Sequence, residues 1–348
     1  MSRDNDKQEN AGREGAAPES AAPESAQSTH WQVAEARLVQ LCARAMERTS
    51  WAGCRRTGSW LGLAFYYGVV GRQRTAIKNL RIAFPYISES AARRYARRAV
   101  QNLGMTFCES LHLAVASKED VRDYVTTEGL EYLQEAYADG KGAILLSAHF
   151  GNWELSGARV AQELPLSVMA RPNSNAGVES HVEQVRRAAG IKVISKWDSA
   201  RPSLRVLRSS EILVVLPDQR AGKGEGLLLP MFGRVTRFYS SVAQLAYLSG
   251  APVVPGFGVR REPWLSDGRI IAQFAPPLQL KQDAERRGLS REEAVREGTQ
   301  RVIGELEKII RAHPDQWWWL HRRWREADAK RELQDKLKSD PAPLTPTV

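Results

Sequence analysis

Four places in the chain combine residue types that can do chemistry. The first is Ser147-Ala-His149-Phe-Gly151-Asn152-Trp153-Glu154. A histidine followed five residues later by a glutamate, with a Gly-Asn turn between them, suits general-base catalysis. One imidazole nitrogen accepts a proton from a substrate hydroxyl while a carboxylate orients the other. On an uninterrupted helix that spacing would point the carboxylate away from the ring; across a turn it can fold back. The second place is Pro217-Asp218-Gln219-Arg220, followed by the glycine-rich AGKGEG at 221–226. A phosphate cradle is one reading of those glycines, but LLLPMFG follows where a helix would be needed, and no GxxxxGK[ST] occurs. A carboxylate and a guanidinium beside a mobile substrate loop is the better reading. The third is Arg171-Pro172-Asn173. The fourth is Gln316-Trp-Trp-Trp319-Leu-His321-Arg322-Arg323-Trp324, which could stack bases, staple a terminal helix, or wall a site and present Arg322 and Arg323 to an anionic ligand.

Taken singly, each charge is equally well explained as a solvated loop residue, and a lone histidine is more often structural than catalytic. Their shared position is the stronger signal. The runs GAILLSA (142–148), LPLSVMA (164–170), IKVIS (191–195), EILVVL (211–216), APVVPGF (251–257) and RIIAQF (269–274) read as strands, with helix candidates at 176–189, 200–209 and 238–249 between them. Short unbroken apolar runs alternating with helices predict an α/β fold: a mainly parallel central sheet covered by helices on both faces. His149 then falls where one strand ends, Arg171 where a second ends, and Asp218 with Arg220 beyond a third. Ligand sites of open α/β sheets lie at those carboxyl ends.

The flanking elements are also legible. AARRYARRAVQNLGMTFCESLHLAVA (91–116) reads as a helix with Ser88 or Ser90 as its N-cap. Ser290-Arg-Glu-Glu293 forms a capping box ahead of Ala294, Val295, Val302, Leu306, Ile309 and Ile310 at helical spacing, up to His313-Pro314. Other chemistries lack their residues. The sequence has no GxSxG elbow and no HExxH. Cys42, Cys54 and Cys108 form no CxxC pair and no disulfide framework, which favours a reducing compartment, and six scattered histidines supply no zinc spacing.

The 348 residues are 43% hydrophobic, too many for a wholly disordered chain, and carry a net charge of +10. That charge implies an anionic partner: nucleic acid, a membrane surface or an acidic substrate. Residues 1–30 hold three basic residues (Arg3, Lys7, Arg13) against six acidic ones, so the remainder carries +13. Residues 1–29, with a tandem AAPES, read as a disordered acidic tail with no apolar h-region of a secretory signal. Residues 30–84 read as a helical region that associates with a membrane, 85–325 as the α/β domain, and 326–348 as a charged tail. The most apolar early stretch, WLGLAFYYGVV at 60–70, is eleven residues long, against about 20 for a helical span. Arg55, Arg56, Arg72 and Arg74 flank it. An interfacial helix with arginines on acidic headgroups and a helical hairpin packed on its own core both fit. Nucleic acid is disfavoured, because no recognition motif accompanies the aromatic-basic cluster.

In its motifs the chain resembles the bacterial lipid A biosynthesis acyltransferases, from about Trp60 to Trp324. The resemblance rests on NLRIAFP (79–85), GKGAILLSAHFGNWEL (140–155), ARPN (170–173), LPDQR (216–220), FG (232–233), SSVAQLAYLSGAPVVPGF (240–257) and QWWWLHRRW (316–324). More distantly the chain is similar to glycerolipid acyltransferases, whose HxxxxD motif corresponds to His149 through Glu154. The resemblance implies transfer of a fatty acyl chain from acyl carrier protein to a hydroxyl of an anionic glycolipid, a lipid A precursor, at the cytoplasmic face of the inner membrane. It implies His149 as general base with Glu154 as its partner, and no metal, cofactor or acyl-enzyme. Arg171 and Arg220 would bind phosphates of acceptor or donor, with Asp218, Arg322 and Arg323 as further substrate contacts. Asn152 would also contact substrate, and the backbone amides around Gly151-Asn152 would stabilise the oxyanion. Two alternatives stand beside this: acylation of another glycolipid from acyl-CoA, and a non-catalytic membrane-binding protein of the same fold. Family members commonly carry a clearer N-terminal membrane helix than residues 31–70 provide.

Overall fold

The computed structural model describes residues 30–170, 175–195, 200–222, 225–261 and 268–325. Arg171, the glycine loop at 223–224 and the two terminal tails at 1–29 and 326–348 lie outside them.

Seven strands form the main sheet: β1 (Val125–Glu128), β2 (Ala143–Leu146), β3 (Leu166–Ala170), β4 (Ile191–Ser195), β5 (Ile212–Val215), β8 (Val253–Arg260) and β9 (Ile270–Phe274). Their order is β1-β9-β8-β2-β5-β3-β4. The run from β8 to β4 is parallel throughout, whereas β9 is antiparallel to β8 and carries β1 beside it. All six strands expected from the sequence are present. The short polar β1 (VTTE) and a separate antiparallel hairpin, β6 (Leu227–Met231) with β7 (Arg234–Phe238), escape sequence reading. In LLLPMFG, which excluded a nucleotide loop, LLLPM is therefore a strand and Phe232-Gly233 forms the turn to β7.

The central strands explain the layered architecture. β2 (AILL) and β5 (ILVV) are buried along their whole length, and successive side chains point to opposite faces. Ile144, Leu146, Leu213 and Val215 enter one apolar core, while Ala143, Leu145, Ile212 and Val214 enter another. The second core is closed by α6 (Leu130–Ala138) and α7 (Trp153–Val160). The first is closed by α4 (Glu89–His112), α10 (Ser241–Ser249) and α12 (Arg291–Ala312). The capping box of α12 forms as expected, and Ser88 rather than Ser90 caps α4.

The N-terminal region contributes α1 (His30–Glu47), α2 (Trp51–Gly68) and α3 (Val70–Ala83). Its inner face joins the main core: Tyr66, Ala76, Leu80 and Ala83 are buried with the strand residues. α2 and α4 approach backbone to backbone. A Cβ at Gly58 would come within 2.3 Å of the Gly104 carbonyl, and one at Gly62 within 2.5 Å of the Val100 carbonyl. The outer faces of α1 and α2 expose Trp31, Leu38, Leu41, Trp60, Leu61, Phe65 and Tyr67. Among the described residues no helix is long and apolar enough to cross a membrane.

Candidate active site

Adjacent parallel strands create the site. β2 pairs with β5 in the register Leu146↔Val215. Three residues beyond each strand, the two chains therefore bring His149 and Asp218 side by side. His149 Nδ1 lies 2.8 Å from Asp218 Oδ1, and the His149 backbone N–H donates to Oδ2 at 3.0 Å. Trp317 Nε1 donates to the same Oδ2 at 2.9 Å. The carboxylate is almost wholly enclosed, with its side chain 2% exposed against 21% for His149. Burial alone would push its pKa up. Attraction to the His149 ring, and the hydrogen bonds from His149 and Trp317, outweigh that and hold it below the usual carboxylate value. An ionised Asp218 accepts from Nδ1–H, which leaves Nε2 as the ring's acceptor.

The sequence-based pairing of His149 with Glu154 is therefore corrected. Glu154 sits in the first turn of α7 and turns to a different cation. Its Oε1 accepts from Arg186 Nη2 at 2.5 Å and from Trp153 Nε1 at 3.0 Å, and Oε2 accepts from Arg186 Nε at 3.2 Å. Arg186 belongs to α8 (Ala176–Ala188). Burial penalises its guanidinium, but attraction and hydrogen bonding to Glu154 more than compensate and raise its pKa. Asp218, expected to contact substrate, instead orients the histidine.

Asn152 is corrected as well. Its side chain is completely buried and caps α7, with Oδ1 accepting from the Leu155 N–H at 3.0 Å and Nδ2 donating to Glu109 at 2.7 Å. The amides assigned to an oxyanion are occupied: Gly151 N–H donates to the Gln316 carbonyl and Asn152 N–H to that of Gly258. This turn admits only glycine at 151. Its φ is +54°, and a Cβ there would meet the Gly258 oxygen at 1.8 Å.

A buried polar network holds the turn from behind. Arg260 and Glu109, both fully buried, form a two-pronged pair at 2.6 and 2.7 Å. Tyr124 donates to Glu109, Asn102 accepts from Arg260 Nε, and Thr106 donates to the Gly151 carbonyl at 2.7 Å. Burial opposes the Arg260 charge, and the Glu109 carboxylate overcomes it. Satisfied in this way, a buried ion pair is tolerated; removal of one partner costs about 3–5 kcal/mol. Sequence reasoning missed this group, although Asn102, Thr106 and Glu109 do mark a polar row at helical spacing along α4.

The aromatic-basic segment is a strap across the site. Phe150 and Trp317 form a backbone bridge, and Trp318 N–H donates to the His149 carbonyl. The rings of Trp153 and Trp318 stand edge-on to His149, with centroids 5.3 and 5.4 Å away. Asn79, within the NLRIAFP motif, fastens the strap by donating to the carbonyls of Trp319 and His321 at 2.8 and 2.7 Å. Of its two arginines, Arg322 is exposed, while Arg323 is buried with its guanidinium 4.4 Å from the Phe238 ring centroid. Arg323 is thus part of the packing, not a cation presented to a ligand. Arg220, half-buried two residues past Asp218, is held by its backbone N–H to His321 Nε2 at 3.0 Å. Burial and then the Arg323 charge lower the His321 pKa to about 4, so this ring is a neutral acceptor.

Two cavities meet beside His149. One of about 410 Å³ is lined by His149, Ser147, Gln219 and Tyr239 together with apolar side chains such as Val168, Met169 and Val214. The other, about 570 Å³, lies between α2, α4 and α8 and is lined by Leu61, Phe65, Val100, Leu103, Phe107 and Val185. Trp153, Glu154, Val182, Arg186 and Trp318 belong to both walls. The arrangement offers an oriented base on the wall of a pocket of mixed polar and apolar lining, with a largely apolar cavity next to it.

The chain is 24% identical over 277 residues to the lipid A biosynthesis lauroyltransferase of Escherichia coli K12, covering 78% of this chain and 84% of the relative. It is 24% identical over 216 residues to a phosphatidylinositol mannoside acyltransferase of Mycobacterium tuberculosis H37Rv, covering 61% and 63%. Among solved structures, the 1-acyl-sn-glycerophosphate acyltransferase PlsC of Thermotoga maritima aligns with 74% of this chain and 98% of its own, at 15% identity and a TM-score of 0.34. The sequence pattern of the bacterial lipid A biosynthesis acyltransferases matches residues 28–326, nearly all of the chain described above, and the protein belongs to that acyltransferase family.

Proposed function

We propose that the protein transfers a fatty acyl chain from acyl carrier protein to a hydroxyl of a lipid A precursor. The observation that carries this reading is the His149–Asp218 pair, with His149 lining one cavity and a largely apolar cavity adjoining it. An acceptor hydroxyl is almost un-ionised at neutral pH, so its proton must leave as the oxygen attacks. His149 Nε2 takes that proton while the oxygen adds to the thioester carbonyl. The tetrahedral adduct then collapses, the carbon–sulfur bond breaks, and the imidazolium returns the proton to the departing thiolate. Asp218 holds the ring in the productive tautomer and stabilises its charge in between. The apolar cavity receives the acyl chain, each buried methylene contributing about 0.8 kcal/mol. Arg220 and Arg322, with Arg171, supply positive charge for the anionic acceptor.

The protein works at the cytoplasmic face of the inner membrane, lying on it without spanning it. The exposed aromatic and leucine side chains of α1 and α2, bracketed by arginines, support this attachment. Mass spectrometry of lipid extracts from the source bacterium, with and without the gene, tests the function. Lipid A species one acyl chain short are the expected result. An unchanged lipid A beside an under-acylated second glycolipid would overturn the acceptor assignment.

A further inference from the structure

We infer that α3 and the start of α4 form the docking groove for the acidic carrier protein that delivers the acyl chain; this rests on the donor reading above. The groove measures about 650 Å³ and is rimmed by Arg74, Lys78, Arg81 and Arg93 over a floor that includes Ile77 and Ile82. Three of the cations come from one helix at positions i, i+4 and i+7, which sets them in a row about 10 Å long. Arg93 is already paired with Glu89 at 2.5 Å. Arg74, Lys78 and Arg81 are exposed and enter no ion pair among the described residues.

Three features select the occupant. A concave trough with an apolar floor and a cationic rim complements a convex amphipathic helix bearing carboxylates, whereas a bilayer presents a flat face. The side chains suited to lipid, Trp60 and Tyr67 among them, project from α2. The buried face of α3 is tied to the catalytic strap through Asn79. A carrier seated on the outer face thus lies one helix away from the segment that walls His149.

The test uses the full chain with Arg74→Glu, Lys78→Glu and Arg81→Glu combined, after a thermal melt shows that it folds. Binding of acyl carrier protein is measured by fluorescence anisotropy, and transfer is measured from acyl carrier protein and from a small acyl-pantetheine. The variant should weaken carrier binding and raise KM for the carrier-bound donor at least about tenfold, equivalent to about 1.4 kcal/mol. Turnover of acyl-pantetheine and partition onto phosphatidylglycerol vesicles should stay unchanged, and high salt should reduce the wild-type advantage. Unaltered carrier binding would overturn the groove assignment, and lost vesicle partition with carrier use intact would assign the groove to lipid. A wild-type protein that uses acyl-CoA and does not bind carrier would overturn the donor reading and the groove with it. Equal use of the carrier by wild type and variant would overturn the groove alone.

Discussion

Asp218→Asn is the sharpest test of the site, because the geometry dictates how the amide must sit. Asp218 Oδ2 receives two donors, the His149 backbone N–H and Trp317 Nε1, at 3.0 and 2.9 Å. The amide oxygen of an asparagine must take that place, since the flipped rotamer would set an NH₂ against both donors and leave buried groups unsatisfied at about 1–3 kcal/mol each. The amide nitrogen then faces His149 Nδ1 across the 2.8 Å that Oδ1 now spans. A donor there forces Nδ1 to accept, which moves the ring proton to Nε2 and removes the base. General-base catalysis contributes about 10²–10⁴ in rate, so kcat should fall by about 10³, near 4 kcal/mol of barrier. The assay is single-turnover transfer from a labelled acyl thioester at saturating acceptor, with circular dichroism to show an intact fold. Glu154→Gln is the control: it disturbs the Arg186 pair but not the histidine's tautomer, and should reduce kcat less than tenfold. A near-normal Asp218→Asn rate, or a Glu154→Gln loss as large as that of Asp218→Asn, would refute the assignment.

Gly151→Ala should destroy activity and lower the melting temperature. The new methyl meets a backbone carbonyl, and overpacking of this kind costs about 1–3 kcal/mol. A folded, active variant would show that the turn can relax. His321 makes a pH prediction. Its folded pKa near 4 lies below the unfolded value of about 6.5, so between those values the unfolded chain binds the extra proton. Stability supplied by this group is complete above pH 6.5 and declines as pH falls toward 4, by about 3 kcal/mol at most. Denaturant titrations across that window should show the decline in wild type and a flatter profile in His321→Gln, whose amide oxygen can still accept from Arg220. Equal slopes would remove His321 from the pH response.

The sheet was legible because its strands announce themselves. AILL and ILVV are buried on both faces and contain no polar residue to confuse the pattern. The polar β1 escaped because VTTE lacks that signature and forms only against β9. In the site, His149 and Asp218 each follow a strand by three residues, which the sequence displays openly. Nothing local states that β2 and β5 are neighbours, so the nearer carboxylate, Glu154, took the role that register gives to Asp218. Asn152 was likewise read as a substrate contact because a buried cap and an exposed polar turn look alike in sequence. The partner that decides between them, Glu109, lies 43 residues away. Arg323 shows the same limit: two adjacent arginines carry no sign of which one packs beneath the strap.

The strap has a consequence for the order in which the molecule becomes competent. Residues 316–324 reach Arg72, Asn79, His149, Asp218 and Thr236 through direct hydrogen bonds, the longest joining positions 248 apart. Contacts so distant in sequence close late, because the intervening chain must first be ordered. A nascent chain that has reached α11 (Leu280–Arg286) already contains His149 and Asp218, yet lacks Trp317 to hold the carboxylate and Trp318 to wall the ring. Catalytic competence therefore waits for residues 316–324: the base is fully assembled only once that segment has been made and has closed over it.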